Sequence, residues 1–359
     1  MSIGRPRPAV QNLPAYRPGK GAAQAEAEHG IVDAIKLASN ENPWPPLPSI
    51  VEAAAAAIAG SNRYADHRAT AVRERLADTL GVAAESVTVG CGSVGLLQQL
   101  FLTYVDPGDH VVYPWRSFEA YPVYTQLMGA TAVTVDLVDH AFDLDAVAAA
   151  VTDATKLVLL ATPNNPTGTA VSTKAIGALV EAVGDDVVVV VDEAYREFVD
   201  PAFGDPVLDL VPAYPNVVVT RTLSKAQGLA GLRFGYAIGH PELIADVDKT
   251  LAPFAVNAVA QAAALATLEA GAEIAARVGA VLGERARVVA ALQSSGWELP
   301  DAQANFVYLP FGASTDDVYL ALERRGVVTR PFTGEGIRVT IGSPAENDRF
   351  LATLAEITA

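Results

Sequence analysis

The sequence predicts an α/β fold: a mostly parallel central sheet with helices on both faces, followed by a smaller α+β region. Three observations lead there. Short apolar runs alternate with helix-length segments through the first two thirds of the chain. One run, Val187-Val-Val-Val-Val191, is five valines long, as expected of a strand buried on both faces of a parallel sheet. Polar and glycine-rich turns stand just past several of these runs, at the carboxyl ends where open α/β sheets gather ligands.

The chain has 359 residues, which is beyond the usual size of one core, so two domains are expected. The division expected is an arm over 1–48 joining the small domain, a large domain over 49–250 and a small domain over 251–359. Hydrophobic residues make up 51% and charged residues 18%, which excludes a disordered chain. With 25 basic against 41 acidic residues, the formal charge of −16 argues against nucleic acid and anionic membranes as partners. An anionic ligand therefore needs a local arginine cluster. The single cysteine, Cys91, rules out a disulfide framework and suits a reducing compartment. The five histidines are dispersed, so no metal site is expected. The N-terminus, Met1 to Lys20, carries no apolar core of signal-peptide length, no apolar run reaches membrane-spanning length, and a soluble cytoplasmic protein is expected.

Residues 1–48 show no long periodic segment, and Lys36-Leu-Ala-Ser-Asn-Glu-Asn-Pro-Trp-Pro-Pro46 reads as an extended stretch stiffened by proline. Ser49 is the expected cap of a helix over 50–59, ended by Gly60. A second helix is expected from Thr70 to Leu80, stopped by Gly81. Val87-Thr-Val-Gly-Cys-Gly-Ser-Val-Gly reads as strand, glycine turn and helix, which aims backbone N–H groups at an anion. Strand 110–113, helix 117–127, strand 131–135, helix 142–151 and strand 156–161 follow. Next come the turn cluster Pro163-Asn-Asn-Pro-Thr-Gly168, helix 172–183 and the valine strand, which ends on Asp192. Strands 216–220 and 234–238 complete the alternation. Helices are expected over 241–251, 256–270 and 272–294, the last with Ile274, Val278, Val281, Leu282, Val288 and Leu292 on one stripe. Strand 305–309, helix 315–325, strands 327–330 and 336–341 and helix 344–357 close the chain.

The chemistry centres on Arg221-Thr-Leu-Ser-Lys-Ala-Gln-Gly-Leu-Ala-Gly-Leu-Arg233. Lys225 sits among small and apolar residues, a setting that favours its neutral form and lets it attack a carbonyl to hold a Schiff base. Thr222, Ser224 and Arg233 supply donors for a phosphate. Taken singly, each candidate has a plain alternative. Asn40 would belong to a linker, Asp192 would be a turn acid, Arg338 a surface arginine, and Tyr64 and Phe118 core residues. One cofactor accounts for all of them. Pyridoxal phosphate needs a buried acid by its ring nitrogen, donors for its ring hydroxyl, an amine for its aldehyde and a dipole with a cation for its phosphate. Asp192, Tyr195 with Asn165, Lys225, and the Gly92-Ser93 turn with Ser224 and Arg233 match that set.

The motifs Leu37-Ala-Ser-Asn-Glu-Asn-Pro43, Pro163-Asn-Asn-Pro-Thr-Gly168, Asp192-Glu-Ala-Tyr195, Ser224-Lys225, Gly231-Leu-Arg233 and Gly336-Ile-Arg-Val-Thr340 occur in order over nearly the whole chain. In them the chain resembles the fold-type I pyridoxal-phosphate-dependent aminotransferases, specifically the histidinol-phosphate aminotransferase subfamily. Val89-Gly-Cys-Gly-Ser-Val-Gly95 and Trp115-Arg-Ser-Phe-Glu119 look most like the actinobacterial aromatic amino acid aminotransferases. The resemblance implies amino transfer between an aromatic L-amino acid and 2-oxoglutarate, with histidinol phosphate as the alternative substrate. It implies Lys225, Asp192 and Tyr195 as catalytic residues, with Asn165 on the ring oxygen and Phe118 stacked on the ring. Gly92, Ser93, Val94, Thr222, Ser224 and Arg233 are implied at the phosphate. Tyr64 is implied at the phosphate of the partner subunit, and hence a homodimer with shared sites. Arg338 is implied at the substrate carboxylate, with Arg330, Tyr16 and Asn40 lining the pocket. The chain departs from the histidinol-phosphate pattern at Val94-Gly95, where an Asp-Glu pair is usual, and at Phe118, where tyrosine is usual. Gln227 replaces a commonly aromatic residue without a physical reading. A different pyridoxal-phosphate reaction and a non-catalytic binding protein are the competing readings.

Overall fold

The computed structural model describes residues 4–11, 13 and 19–358. Seven strands build the central sheet: β1 (Val87–Cys91), β2 (His110–Trp115), β3 (Thr131–Asp136), β4 (Thr155–Ala161), β5 (Val188–Asp192), β6 (Val217–Thr222) and β7 (Phe234–Gly239). Their order is β1-β7-β6-β5-β4-β2-β3. The alternating side chains of β5 separate to two cores, Val189 and Val191 on one face and Val188 and Val190 on the other. That is why its sequence is apolar at every position.

Strand β7 departs from the expected alternation. It runs antiparallel between β1 and β6. The connection 223–233 holds only a short 3-10 turn at Ala230–Leu232. A parallel return needs a crossover of about a dozen residues or more, usually through a helix, so this short link turns the chain back on itself.

Several expected boundaries shift for local reasons. Ser49 is not a cap: the helix runs Pro48–Ile58 with Leu47 before it. Proline at the first helical position has a pre-set φ and no N–H to strand. It stops at Ile58, so Ala59 rather than Gly60 ends it. The helix expected over 142–151 shortens to Leu144–Ala149, because Asp143 caps it by accepting from Ala146 N at 2.9 Å. In the arm, where no periodic segment was expected, Ala22–His29 forms a helix closed by left-handed Gly30. The run 327–330 divides in two. Val327–Val328 pairs in parallel with Ile35–Lys36, and Arg330–Phe332 joins a hairpin. The helix Thr70–Leu80 and its Gly81 terminator stand as expected. So does the stripe on Gly271–Ser294, apart from Leu282, which is only partly buried.

The C-terminal region carries β8 (Phe306–Leu309), β9 (Arg330–Phe332) and β10 (Gly336–Thr340), antiparallel in the order β9-β10-β8. Helix Ala258–Glu269 packs against the helices Pro48–Ile58 and Thr70–Leu80 rather than on this sheet. The arm is pinned to the C-terminal region by Lys20, which pairs with both Glu28 and the buried Glu323, while His29 Nε2 lies 3.0 Å from Glu323. The ligating atoms of Glu28, His29 and Glu323 are close enough to share an ion, but the Lys20 ammonium already supplies the positive charge. No described helix is long and apolar enough to cross a membrane.

Candidate active site

The carboxyl ends of the parallel strands, the start of helix Gly92–Tyr104, the arm and the β9–β10 hairpin enclose one cleft. It is lined by Asn40, Ser93, Val94, Phe118, Asn165, Asp192, Tyr195, Thr222, Ser224, Lys225, Arg233, Arg330 and Arg338. These residues span almost 300 positions of sequence, so the fold brings together what the motifs only suggested. Gly92 begins the helix Gly92–Tyr104 and precedes Ser93 and Val94, which line the cleft. Tyr64 lies elsewhere: it is 82% exposed and stacked on Phe254 at 4.4 Å, so it is no core tyrosine and does not reach this chain's own cleft. Tyr16 lies outside the described residues.

Asp192 ends β5 and is 3% exposed. In register it stands between Ala161 of β4 and Thr220 of β6. Thr220 Oγ1 donates to Oδ1 at 3.1 Å, and the Tyr121 hydroxyl donates to Oδ2 at 3.1 Å. Burial raises the carboxyl pKa to about 6, against the pull of those two hydroxyls. Among the described residues both donors are neutral, so the site suits a cationic group facing the acid. Sequence reasoning missed Tyr121 and Thr220. Thr220 could have been found as the strand residue level with Asp192; Tyr121 had no signal beyond its place near Phe118, whose ring it meets edge-on at 5.7 Å.

Lys225 follows β6. Its Nζ donates to the Ser39 carbonyl at 3.1 Å and lies 5.8 Å from the Tyr195 ring centre. Burial first, and the Arg338 guanidinium second, lower its pKa to about 8. Below pH 8 the lysine is protonated in both folded and unfolded chains, and the fold bears the cost of a desolvated ammonium. Between 8 and 10.5 only the unfolded chain holds the proton, so stability rises with pH through that window. In cofactor-free protein, Lys225→Met is therefore expected to melt roughly 3 °C or more above wild type at pH 7. The gap should narrow towards pH 10; a gap that does not vary with pH would contradict the buried-amine environment.

The anion cradle is built from three elements. Thr222 Oγ1 donates to Ser224 Oγ at 2.9 Å, and Arg233 Nη1 reaches Ser224 Oγ at 3.5 Å. Arg233 adopts a left-handed φ of 61° and Gly92 one of 71°. A side chain at Gly92 would meet the Arg233 guanidinium at 2.4 Å, and one at Gly235 would meet the Gly92 and Ser93 backbone at 2.5 Å. Two glycines thus let β7 and the helix start close around a cradle of hydroxyls, a guanidinium and helix N–H groups, the donor set a phosphate requires.

On the opposite wall Arg338 is 7% exposed. It donates through Nη1 to Asn165 Oδ1 and through Nη2 to the Ala38 carbonyl at 2.6 Å, and it sits 5.4 Å from the Phe306 ring centre. Asn165 therefore faces the arginine as well as the cleft. Asn40 Nδ2 donates to the Tyr195 hydroxyl at 2.9 Å, which makes it a support for that tyrosine. Arg330 pairs with Glu119 at 2.6 Å. Gln227 now has a reading: its Nε2 donates to Glu197 at 2.7 Å, behind the lysine loop.

A seven-stranded α/β sheet with a half-buried, desolvated lysine, a buried acid and an anion cradle at its carboxyl edge defines an enzyme that handles carbonyl and amine chemistry. The chain belongs to the class I and II aminotransferases, whose family model matches residues 32–354. It is 49% identical over 347 residues to an aromatic amino acid aminotransferase of Streptomyces avermitilis, covering 96% of this chain and 95% of that protein. It is 50% identical over 346 residues to another of that name from Thermobifida fusca, with the same coverage. Among solved structures it resembles histidinol-phosphate aminotransferase of Sinorhizobium meliloti in complex with pyridoxal-5'-phosphate. The TM-score is 0.90 at 28% identity, over 99% of this chain and 98% of that one.

Proposed function

We propose that this chain is an aromatic amino acid aminotransferase that binds pyridoxal phosphate and moves an amino group between an aromatic L-amino acid and 2-oxoglutarate. The observation that carries the reading is one cleft onto which a half-buried lysine, Lys225, and a buried guanidinium, Arg338, both open. When bound, pyridoxal phosphate supplies an aldehyde for the amino group and a ring that accepts the electron pair released at Cα. The uncompensated Asp192, the Gly92–Gly235 cradle and the hydroxyl–guanidinium cluster fit its nitrogen and its phosphate.

In this reading Lys225 would hold the cofactor by its aldehyde and would take up and return the proton at substrate Cα. A pKa near 8 leaves it able to take and return that proton near neutrality. Asp192 holds the ring nitrogen protonated, and Thr220 and Tyr121 orient the acid. Tyr195, steadied by Asn40, and Asn165 bond the ring oxygen, and Phe118 covers the ring. Gly92, Ser93, Val94, Thr222, Ser224 and Arg233 hold the phosphate. Arg338 grips the substrate carboxylate in a bidentate fork, and Arg330 and Asn40 shape the pocket. The proposed arm 1–48, large domain 49–250 and small domain 251–359 close around the substrate, with helix Ala258–Glu269 staying against the large domain. The protein acts in the cytoplasm as a homodimer in which the exposed Tyr64, with Phe254, meets the partner subunit's cofactor site.

A substrate panel tests the reading. Phenylalanine and tyrosine are expected to exceed histidinol phosphate in kcat/KM, with glutamate formed from 2-oxoglutarate. The second reading, histidinol-phosphate amino transfer, is favoured by the likeness to the Sinorhizobium structure. A panel in which histidinol phosphate dominates would establish it instead.

A further inference from the structure

The arm holds Lys225 at both ends. The Ser39 carbonyl accepts from its Nζ at 3.1 Å. Three residues on, Asn42 Nδ2 donates to the Ala226 carbonyl at 2.9 Å and lies 3.4 Å from the Lys225 carbonyl. Asn42 Oδ1 accepts in turn from the Trp44 N–H at 3.0 Å. That bond fixes which end of the amide faces the lysine loop, since an oxygen turned there would meet two carbonyl oxygens. Gly228, left-handed at φ 71°, closes the loop with its N–H on the Lys225 carbonyl at 3.1 Å. The arm is itself anchored on the C-terminal region. Leu37 N donates to the Val328 carbonyl at 2.7 Å, Asn40 N to Thr340 Oγ1 at 2.9 Å, and Asn305 Nδ2 to the Asn40 carbonyl at 3.1 Å.

We propose that Asn42 is a positioning residue for Lys225, fixing the backbone from which the amine swings. The proposal deepens the reading of Lys225 as the cofactor lysine and rests on it. The two holds differ in kind. The Ser39 bond grips the amine itself and is given up whenever that amine reacts. The Asn42 bond grips backbone and does not depend on the state of the amine. A flexible four-carbon side chain delivers a proton to one atom only if its root stays in place, and a shift of about 1 Å costs roughly 10²-fold. A carboxylate at position 42 would bring an acceptor where the loop needs a donor. A shorter side chain would remove the donor to the Ala226 carbonyl.

The test compares Asn42→Asp and Asn42→Ser with wild type. Both keep an oxygen for the Trp44 N–H, and so the turn. Aspartate has the shape of asparagine but no N–H for the loop; serine is uncharged and too short to reach it. In the holoenzyme, kcat for L-phenylalanine is expected to fall about tenfold or more in both variants, with KM within about twofold because Arg338 is untouched. The second readout is taken on the full-length cofactor-free chain: acetylation of Lys225 by trace acetic anhydride, followed by mass spectrometry across pH. Lys225 faces the cations Arg338, Arg233 and Lys36 and the carboxylate of Glu41, and burial does most to lower its pKa. A loosened loop admits water, so the midpoint of that profile should move up by about half a unit or more in both variants. Wild-type kcat and midpoint in the two variants overturn the proposal. So does an effect confined to aspartate, which would belong to the added charge, or to serine, which would belong to lost volume. Asn42→Ala replaces either variant that folds poorly. Lys225→Ala decides the cofactor-lysine reading by itself. If that variant still turns over, the reading fails, while the acetylation midpoints still decide whether Asn42 positions the amine.

Discussion

Lys225→Ala is expected to lower turnover by about 10⁴-fold or more, since on the proposed assignment it removes both the attachment of the cofactor and the general base. The visible absorbance of lysine-bound cofactor should vanish with it, while circular dichroism and melting stay those of a folded chain. The fold is spared because the Lys225 side chain contributes one hydrogen bond, to the Ser39 carbonyl, and its buried ammonium is a burden rather than a support. Cofactor should still bind reversibly through Ser93, Thr222, Ser224 and Arg233. Persistence of the absorbance band, or substantial turnover, would remove Lys225 from the mechanism and with it the whole assignment.

Arg338→Ala should cost about 2–5 kcal/mol of carboxylate recognition, or roughly 30- to several-thousand-fold in kcat/KM for phenylalanine. Part of the loss comes from stranded partners, since Arg338 also holds Asn165 and the Ala38 carbonyl. Arg338→Lys should rescue little, because an ammonium cannot reproduce the planar fork. Phenethylamine, which lacks the carboxylate, provides the control. The ratio of phenylalanine to phenethylamine binding should collapse in the alanine variant. A KM for phenylalanine equal to wild type would place the carboxylate elsewhere, Arg330 being the first alternative.

Much of the site was legible because its chemistry forces residue types at strand ends. Asp192 ends a run of valines, where a carboxylate serves either a turn or a facing cation, and the neighbouring motifs select the second. Lys225 stands one residue after Ser224, past the next strand, for the same topological reason. The supporting contacts were not legible. Tyr121 reaches Asp192 from a helix 71 positions away, and Glu119 finds Arg330 across 211 positions. Such pairs depend on how the sheet, the arm and the hairpin close together, and no local pattern records that. Tyr64 shows the opposite case: its exposure removes the plain reading as a core residue, and the role proposed for it needs a second subunit.

The sequence alone determined the class of fold, since apolar period and strand length report burial residue by residue. It also pointed to the residues proposed here for the cofactor, since each role needs a particular functional group in a particular local turn. The tertiary structure decided the antiparallel run of β7, the pairing of the arm with Val327–Val328, and the ion pair of Arg330 with Glu119. These arise from contacts between segments far apart in the chain. Their energies depend on distance and burial in three dimensions, and these exist only once the chain has closed on itself.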